Sequence, residues 1–360
     1  MTAPIPNWDN LGFGHHATDA YYLAEGDANL AQGDACLAQG NGAVAGATWG
    51  PGEAVAGDRP LSLAPAAAVL SYACGIFEGL KAERTSDGRL LLFRPHDHAE
   101  RFRRSAERLQ LLPFPHERFL DAVRTVVRAN ERFVPPAGRG TFYLRPLEHG
   151  IAPMLGLGTG SRYRVVVYGS PVGDYHAPQA LEHGLRLKVL PFSRVAPGGT
   201  GAAKAMGNYP GGLVHKQQAQ QQGCADVLYT LVPSGGGPPL LQETSGSNVF
   251  CWLRSGALVT PATDDTVLAG ITRASVLTLA AEWGIPVAEQ ALTLDEVITE
   301  GAECFCTGTA WTVRSVAELA LADGRVHRCG PPTLAPKLRA ALRAIQSGAE
   351  ADRWGWTLSV

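Results

Sequence analysis

Long apolar runs, an excess of one charge and paired cysteines are all missing from this 360-residue sequence. No apolar run reaches roughly 18 residues, and no basic segment followed by an apolar one stands at the N-terminus, so we expect a cytoplasmic protein without a membrane anchor. The formal net charge of −2 offers no positive surface for nucleic acid or an acidic membrane. The seven cysteines include no Cys-x-x-Cys pair, which argues against a disulfide framework and a structural zinc site.

Lysine is also scarce, since only five of the 31 basic residues are lysines. One of the five, Lys204, lies in a stretch from Gly198 to Tyr209 that has almost no bulky side chains. An arginine is always charged, whereas a lysine amine can be tuned and can form a Schiff base with a carbonyl compound. Lys204 is therefore a candidate catalytic residue, and the alternative is an ordinary solvated lysine.

The length predicts two domains. Prolines and glycines are concentrated in residues 169–184, so we predict a smaller N-terminal domain (1–172), a linker (173–185) and a larger C-terminal domain (186–360). Residues 40–60 are rich in Ala and Gly and predict a flexible surface insertion. Strands and helices mix without a strict βαβ rhythm, which favours an α+β fold in both halves.

Local patterns place several elements. Apolar runs predict strands at Leu90–Phe93, Tyr163–Tyr168, Leu185–Leu190, Val227–Val232, Val249–Leu253, Ala257–Thr260 and Glu303–Cys306. Capping and spacing signals predict helices at 97–110, opened by a capping box of Asp97 and Glu100, from Pro210 to Gly223, at Ile271–Trp283, and after Thr293, capped with Glu296.

Three places could hold a phosphate. Gly270-Ile271-Thr272 opens a helix, whose first amides and dipole favour an anion. Thr307-Gly308-Thr309-Ala310 follows a strand and offers amides that can converge on an oxygen. Arg101, in the first turn of the 97–110 helix, could pair with phosphate oxygens through its fork of donors. Ordinary capping and a solvated arginine remain the alternatives, and no GxxxxGK[ST] motif is present.

Glu243, in Gln242-Glu243-Thr244, stands just before the apolar strand predicted at Val249–Leu253. It is either a solvated charge or a carboxylate held against the ring nitrogen of a pyridine cofactor, where it would keep that nitrogen protonated. Tyr209 is either a packed aromatic or a donor to the phenolic oxygen of such a ring.

Ordered motifs along the chain resemble the branched-chain amino acid aminotransferases, which are class IV (fold type IV) pyridoxal-phosphate enzymes with the α+β fold of D-amino acid aminotransferases. The resemblance covers about Thr18 to the C-terminus. The matching segments are Phe77–Ala82, Leu92–Pro95, Arg104–Leu109, Tyr143–Pro146, Gly198–Gly201, Gly207–Tyr209, Gly270–Arg273, Thr307–Ala310, Leu338-Arg339, Ile345–Gly348 and Gly355-Trp356.

The resemblance implies a role for each matching residue. Lys204 would form the Schiff base and move the proton, Glu243 would face the pyridine nitrogen, and Tyr209 would face the phenolic oxygen. Phosphate would be held by Arg101, Arg194, Thr309 and the amides of Ile271 and Thr272. The substrate would meet Tyr72, Phe77, Tyr143, Arg145, Gly246 and the amides of Thr309 and Ala310, with Arg145 on the distal carboxylate of glutamate or 2-oxoglutarate. The family also implies a homodimer, with pyridoxal 5'-phosphate between a smaller and a larger domain.

The chain departs from the family pattern around the substrate. Gly246-Ser247-Asn248 replaces Thr-Met-Asn, Glu83 replaces an aromatic residue, and Glu148-His149 replaces aliphatic residues. Because a buried unpaired carboxylate is costly, we expect Glu83 and Glu148 to face water or to meet a cation. The alternatives to a branched-chain aminotransferase are an aminotransferase for a more polar, non-standard amino acid, a lyase of the aminodeoxychorismate lyase type, and a non-catalytic binding protein.

Overall fold

The structure is a computed structural model that describes residues 3–28, 47–173 and 183–360. These residues form two compact units. The first comprises residues 3–28 and 47–173 together with Ala203–Gly207 and Gln346–Val360, and the second comprises residues 183–202 and Asn208–Ile345. Most of the predicted linker lies outside the described residues, and the domain boundaries remain a prediction.

Strands and helices occur in both units, which confirms the α+β fold class. The strands are β1 (Ala20–Asp27), β2 (Thr48–Trp49), β3 (Glu53–Ala56), β4 (Gly75–Phe77), β5 (Leu80–Arg84), β6 (Leu90–Phe93), β7 (Thr141–Gly150), β8 (Arg162–Val172), β9 (Leu185–Leu190), β10 (Asp226–Leu231), β11 (Leu240–Thr244), β12 (Asn248–Leu253), β13 (Leu258–Thr260), β14 (Val287–Glu289), β15 (Gly301–Gly308), β16 (Thr312–Ala320), β17 (Val326–Arg328) and β18 (Thr357–Ser359). The α-helices are α1 (Ala68–Tyr72), α2 (Pro95–Arg108), α3 (His116–Ala129), α4 (Leu213–Gln221), α5 (Ile271–Glu282), α6 (Leu294–Glu300) and α7 (Leu334–Gln346).

The first unit is built on an antiparallel sheet with the order β18–β6–β5–β7–β8–β1–β2, to which β3 and β4 add at β1 and β7. Side chains alternate across β7, so Phe142 and Leu144 join the apolar core that also contains Phe102 of α2 and Phe119 of α3. The opposite face of β7 carries Tyr143 and other half-buried side chains. The strand thus separates a core face from a face that is available for function.

The second unit contains a sheet with the order β11–β10–β9–β16–β15–β12–β13–β14, and β17 pairs with β16. Strand β11 also pairs with β12, so six strands close into a ring. Cys304 and Cys306, which alternate in an apolar stretch of the sequence, are buried thiols of β15.

Several local predictions are confirmed and two are wrong. Strands β6 and β9 have the predicted bounds, and Thr293 and Glu296 form the predicted capping box. The box predicted at Asp97 is absent, because α2 begins at Pro95 and the Asp97 carboxylate instead accepts hydrogen bonds from the guanidinium of Arg94.

The insertion predicted at 40–60 is the second correction. Residues 40–46 lie outside the described residues, but β2 and β3 pair with β1, so most of the remainder is ordered edge of the sheet. In the parts of the chain that the structure describes, no helix is long and apolar enough to cross a membrane. Nor do the His, Cys, Asp and Glu side chains of residues 3–28, 47–173 and 183–360 gather into a group that could hold a metal ion.

Candidate active site

The backbone of Lys204 is fixed by two elements of the first unit. The amide of Phe77, at the end of β4, donates to the Lys204 carbonyl at 3.0 Å. The Lys204 amide donates to Oγ of Ser105 in α2, also at 3.0 Å. Ile76 and Ala205 form a β-bridge beside these bonds. The segment that carries the lysine is therefore attached to a strand on one side and to a helix on the other.

A buried group of charged side chains adjoins this attachment. The Glu78 carboxylate, which is fully buried, accepts from Nε and Nη2 of Arg101 at 2.6 and 2.9 Å. It also contacts Nδ1 of His98 at 2.6 Å and accepts from the Gly79 amide. Burial alone would raise the pKa of Glu78, but the charge of Arg101 and the hydrogen bonds from Arg101 and His98 outweigh it and hold that pKa well below its usual value.

Arg101 was predicted from sequence as a phosphate ligand in the first turn of its helix. Because α2 begins at Pro95, the residue lies in the second turn, and its fork pairs with Glu78. Burial lowers the pKa of His98 and outweighs the opposite effect of Glu78, so His98 is neutral at pH 7 and its proton lies on the Nδ1 that faces the carboxylate. Glu78 and His98 were not identified as site residues from sequence.

Three predicted substrate-binding residues lie together beside Lys204. The guanidinium of Arg145 lies over the ring of Phe77 at 4.9 Å and over that of Tyr143 at 5.4 Å. The Lys204 amine lies 4.7 Å from the centre of the same Phe77 ring. Two cations thus contact one aromatic ring, an arrangement that is favourable because the face of the ring is electron-rich.

Phe13 adds a side chain that sequence reasoning missed. Its ring packs edge-on against Tyr143 with 5.2 Å between the ring centroids. Nothing in the weakly patterned N-terminal sequence indicated this contact, because it joins residues 130 positions apart in the chain.

Tyr72 does not join this group within the chain. It ends α1, is 39% exposed, and donates from its hydroxyl to the Leu155 carbonyl. These contacts do not test its predicted role in the substrate pocket, which stays a prediction.

In the second unit, Glu243 precedes β12 as predicted but itself lies within β11, and its side chain is only 6% exposed. Its Oε1 accepts from Nη2 of Arg194 at 2.6 Å and from the Leu268 amide, while its Oε2 accepts from the side-chain amide of Asn248. The guanidinium of Arg194 also lies 5.6 Å from the ring centre of Tyr209. The structure brings together three residues that sequence analysis assigned to one cofactor, namely Arg194, Tyr209 and Glu243.

The predicted phosphate-binding helix is present as α5, with Ile271 and Thr272 as its first two residues, both buried. Its N-cap is Gly270, where a Cβ atom would stand 2.0 Å from Oδ1 of Asn248. No side chain caps the helix. Its first amides have no acceptor within the helix, and the missing Cβ lets Asn248 approach the cap closely.

Thr309 and Ala310 lie in the tight turn between β15 and β16, whose last and first residues, Gly308 and Thr312, are paired. Thr312 has a φ of 66°, the left-handed conformation that such short hairpin loops use. Gly246 lies in the exposed turn between β11 and β12, and a Cβ there would meet no atom within 4 Å. A larger side chain therefore fits at Gly246 without a clash, and the role of Gly246 beside the substrate stays a prediction.

Comparison with known proteins gives these residues a context. The model of the amino-transferase class IV family matches residues 75–319, which is more than half of the chain. The chain belongs to the class IV aminotransferases. A chloroplastic branched-chain-amino-acid aminotransferase of Arabidopsis thaliana is 38% identical to it over 98% of this chain and 85% of that protein.

Solved class IV aminotransferases share the fold. The branched-chain aminotransferase of Thermoproteus uzoniensis, solved with norvaline, is similar with a TM-score of 0.72 and 28% identity over 85% of this chain and 96% of that one. The branched-chain amino acid aminotransferase of Escherichia coli gives a TM-score of 0.69 and 28% identity over 85% of this chain and 96% of that one. Class IV aminotransferases depend on pyridoxal 5'-phosphate, and the reaction of this chain is transamination.

The residues of this aminotransferase fit that cofactor. Nε and Nη1 of Arg194 are buried and have no hydrogen-bond partner among the described residues, so they are donors that still require an acceptor. The N-terminus of α5 offers further donors to an anion. Glu243 supplies a carboxylate that is only 6% exposed. Within the second unit, these groups suit an anionic ligand with a basic ring nitrogen.

Neither Glu83 nor Glu148 faces water, which excludes the first alternative for both, and for Glu148 the structure also overturns the second, a cationic partner. Glu83 is 5% exposed. Glu148 is fully buried in β7, and neither of its carboxyl oxygens has a hydrogen-bond partner among the residues described. Burial raises the pKa of Glu148 well above its usual value, so the side chain is protonated where its solvated counterpart would be charged.

His149 and Cys74 are structural residues in this arrangement. His149 lies in β7, and burial, with the nearby charge of Arg164, lowers its pKa to about 4. Cys74 donates a weak hydrogen bond to the Gly158 carbonyl. Glu148 lies on the core face of β7, opposite to the face of Tyr143, so it does not line the group around Lys204.

Proposed function

We propose that this class IV aminotransferase transfers an amino group between a branched-chain or related L-amino acid and 2-oxoglutarate. Bound pyridoxal 5'-phosphate would supply the electron-accepting ring that stabilises a carbanion at the substrate Cα. Support comes from the relatives, which bear branched-chain aminotransferase names, and from the position of Lys204 beside Phe77 and Arg145.

The contact of Lys204 and Arg145 with one ring is the observation that carries the proposal. An apolar amino acid can pack its side chain on Phe77, whereas glutamate can place its distal carboxylate on the guanidinium of Arg145. One group of side chains can in this way accept both an aliphatic donor and an acidic one. A flexible lysine can also carry the proton between two carbon atoms, a contribution of about 10² to 10⁴ in rate.

The remaining site residues have proposed roles that follow from their surroundings. Glu243 would hold the ring nitrogen in its protonated form, and Tyr209 would donate to the phenolic oxygen. Arg101, Arg194, Thr309 and the amides of Ile271 and Thr272 would bind the phosphate, and the amides of Thr309 and Ala310 would hold the substrate α-carboxylate. Gly246 would border the substrate. A location in the cytoplasm stays a prediction from sequence.

Absorbance tests the role of Lys204. The purified protein incubated with pyridoxal 5'-phosphate should absorb in the near-visible region, and Lys204→Ala should lose that band. Lys337→Ala is the matched control, because Lys337 is exposed on α7 and should keep the band. A colourless wild-type protein would refute the cofactor assignment.

Kinetics test the substrate. We expect leucine, isoleucine and valine to give the highest kcat/KM among amino donors with 2-oxoglutarate as acceptor. Arg145→Met should lower kcat/KM for glutamate about 10- to 100-fold, the effect of losing a charged hydrogen bond, while leaving leucine much less affected.

A more polar donor as the best substrate would favour the alternative aminotransferase. Release of pyruvate from aminodeoxychorismate would favour the lyase, which the relatives reported above do not support.

We further propose that the enzyme is a homodimer. Leu155 and Leu157 are 92% and 87% exposed, and Leu70 and Tyr72 of the neighbouring α1 are 59% and 39% exposed. The Tyr72 hydroxyl donates to the Leu155 carbonyl, which places the end of α1 beside the segment that carries the exposed leucines. The resemblance implies that a second copy of this chain covers these exposed side chains. Sedimentation should show a dimer for wild type and a monomer for the double variant Leu155→Asp/Leu157→Asp, and a wild-type monomer would refute the proposal.

A further inference from the structure

The contacts around Lys204 form a closed circuit. The chain runs from Phe77, which donates to the Lys204 carbonyl, directly to Glu78, which binds the guanidinium of Arg101. Four residues after Arg101, Ser105 accepts the hydrogen bond of the Lys204 amide. Every step of this circuit lies within the first unit.

Helix α2 connects the two ends of the circuit. Residues four apart on a helix lie on the same face, so Arg101 and Ser105 both project from one side of α2. Both are buried, with exposed fractions of 5% and 1%. A rigid helical turn therefore fixes the distance between the predicted phosphate ligand and the backbone of the predicted cofactor-binding lysine.

We propose that Ser105 is a positioning residue that holds the Lys204 backbone in register with Arg101. The proposal rests on the proposed function, in which Lys204 and Arg101 bind opposite ends of the same cofactor molecule. A ligand that is held at two points binds more tightly than at either point alone only when the two points are correctly spaced. Without the Ser105 hydroxyl, the Lys204 amide loses its hydrogen bond to α2, while the Phe77 bond and the Ile76–Ala205 bridge to β4 remain.

The phosphate group of the ligand provides the test. Dissociation constants are measured for pyridoxal 5'-phosphate and for pyridoxal, which has the aldehyde but no phosphate, with wild type, Ser105→Ala and Ser105→Thr. We expect Ser105→Ala to weaken the phosphorylated ligand about tenfold, equivalent to about 1.4 kcal/mol, and to change pyridoxal binding less than about twofold. Ser105→Thr keeps the hydroxyl and should bind both ligands as wild type does.

A purely structural role for Ser105 gives a different pattern. General damage to the fold would weaken both ligands by the same factor, and that result, or an unchanged affinity for pyridoxal 5'-phosphate, would overturn the proposal. Ser170→Ala is the matched control, since Ser170 is also a buried serine of the first unit that accepts a backbone hydrogen bond, and it should leave the ratio of the two constants unchanged. Ser105→Cys, which keeps the volume but is a weak acceptor, replaces Ser105→Ala if that variant does not fold.

Failure of the proposed function is distinguishable from failure of this inference. If wild type binds neither ligand, the assignment of the cofactor itself is wrong. If wild type binds both and Ser105→Ala changes them equally, the cofactor assignment stands and the positioning role does not.

Discussion

Replacing Glu148 with glutamine should make the enzyme more stable at about pH 8 and leave its stability nearly unchanged at about pH 4.5. Glu148 is fully buried, and its two oxygens lack a hydrogen-bond partner among the described residues. Burial holds the pKa of Glu148 well above the value of an unfolded chain. Between these two pKa values the folded protein binds one more proton than the unfolded one, so the free energy of unfolding falls as pH rises.

The size of the effect follows from that proton. Wild type should lose about 1.4 kcal/mol of stability for each pH unit above the unfolded pKa until the folded pKa is reached. Glutamine has the same shape and does not titrate, so this slope should be missing from Glu148→Gln. The ionisable group beside Glu148 is Tyr163, and Cys74 lies near Tyr163. Both have raised pKa values through burial and stay neutral, while His149, on the opposite face of β7, titrates near pKa 4.

Urea denaturation from about pH 4.5 to pH 8 measures the difference between the two proteins at each pH. Glu296→Gln is a control of opposite sign, because the hydrogen bonds that Glu296 accepts from Thr293 lower its pKa. That variant should be less stable than wild type near neutral pH, and the difference should vanish as pH falls through the folded pKa. Equal slopes for wild type and Glu148→Gln would show that Glu148 is not buried as a neutral acid.

Three further predictions concern other positions. Glu78→Gln should destabilise the protein by about 3–5 kcal/mol at neutral pH, because the guanidinium of Arg101 would lose its buried carboxylate. The loss should shrink in denaturation experiments below the unfolded pKa of Glu78, because the unfolded chain then binds a proton that the folded carboxylate does not. Gly270→Ala should weaken the binding of pyridoxal 5'-phosphate at least tenfold in a titration. The new Cβ would stand 2.0 Å from Oδ1 of Asn248, so the N-terminus of α5 would have to move. An unchanged affinity would contradict the role of that helix. Gly246→Thr should change the free energy of unfolding by less than about 0.5 kcal/mol, because a Cβ there meets no atom within 4 Å. The same variant should alter the ratio of kcat/KM between leucine and larger amino donors. An unchanged ratio would place Gly246 away from the substrate.

Elements whose signals lie within a few residues were predictable from sequence. Strand β6 is a run of four apolar residues closed by Arg94 and Pro95, and its bounds are as predicted. Helix α6 follows a reciprocal capping box between Thr293 and Glu296, which needs no tertiary partner. The box expected at Asp97 failed because Arg94 adopts a left-handed conformation, with a φ of 50°, and takes the Asp97 carboxylate as its own partner.

The residues of the candidate site also divide into those with a local sequence signal and those that depend on distant partners. Lys204 could be selected as a candidate because lysine is rare in this sequence and its neighbours are small. Tyr143 and Arg145 could be expected on one face of a strand, since they are two positions apart. The partners that fix these residues could not be predicted, because they join distant segments. Ser105 is 99 positions from Lys204 in the chain, and no local pattern distinguishes a serine that accepts such a bond from one that faces solvent.

Glu148 shows a further reason why part of the structure could not be predicted from the sequence. Its neighbours Arg145 and Pro146 belong to a motif that suggests function, and the cost of burying a carboxylate argued for exposure or a cationic partner. The structure satisfies neither condition, because alternation along β7 places Glu148 on the core face with Phe142 and Leu144. The cost is met by protonation instead, since a neutral acid is much less costly to bury than a charged one. Sequence rules that treat every carboxylate as charged miss this outcome, and the pH dependence of stability is the measurement that separates the two.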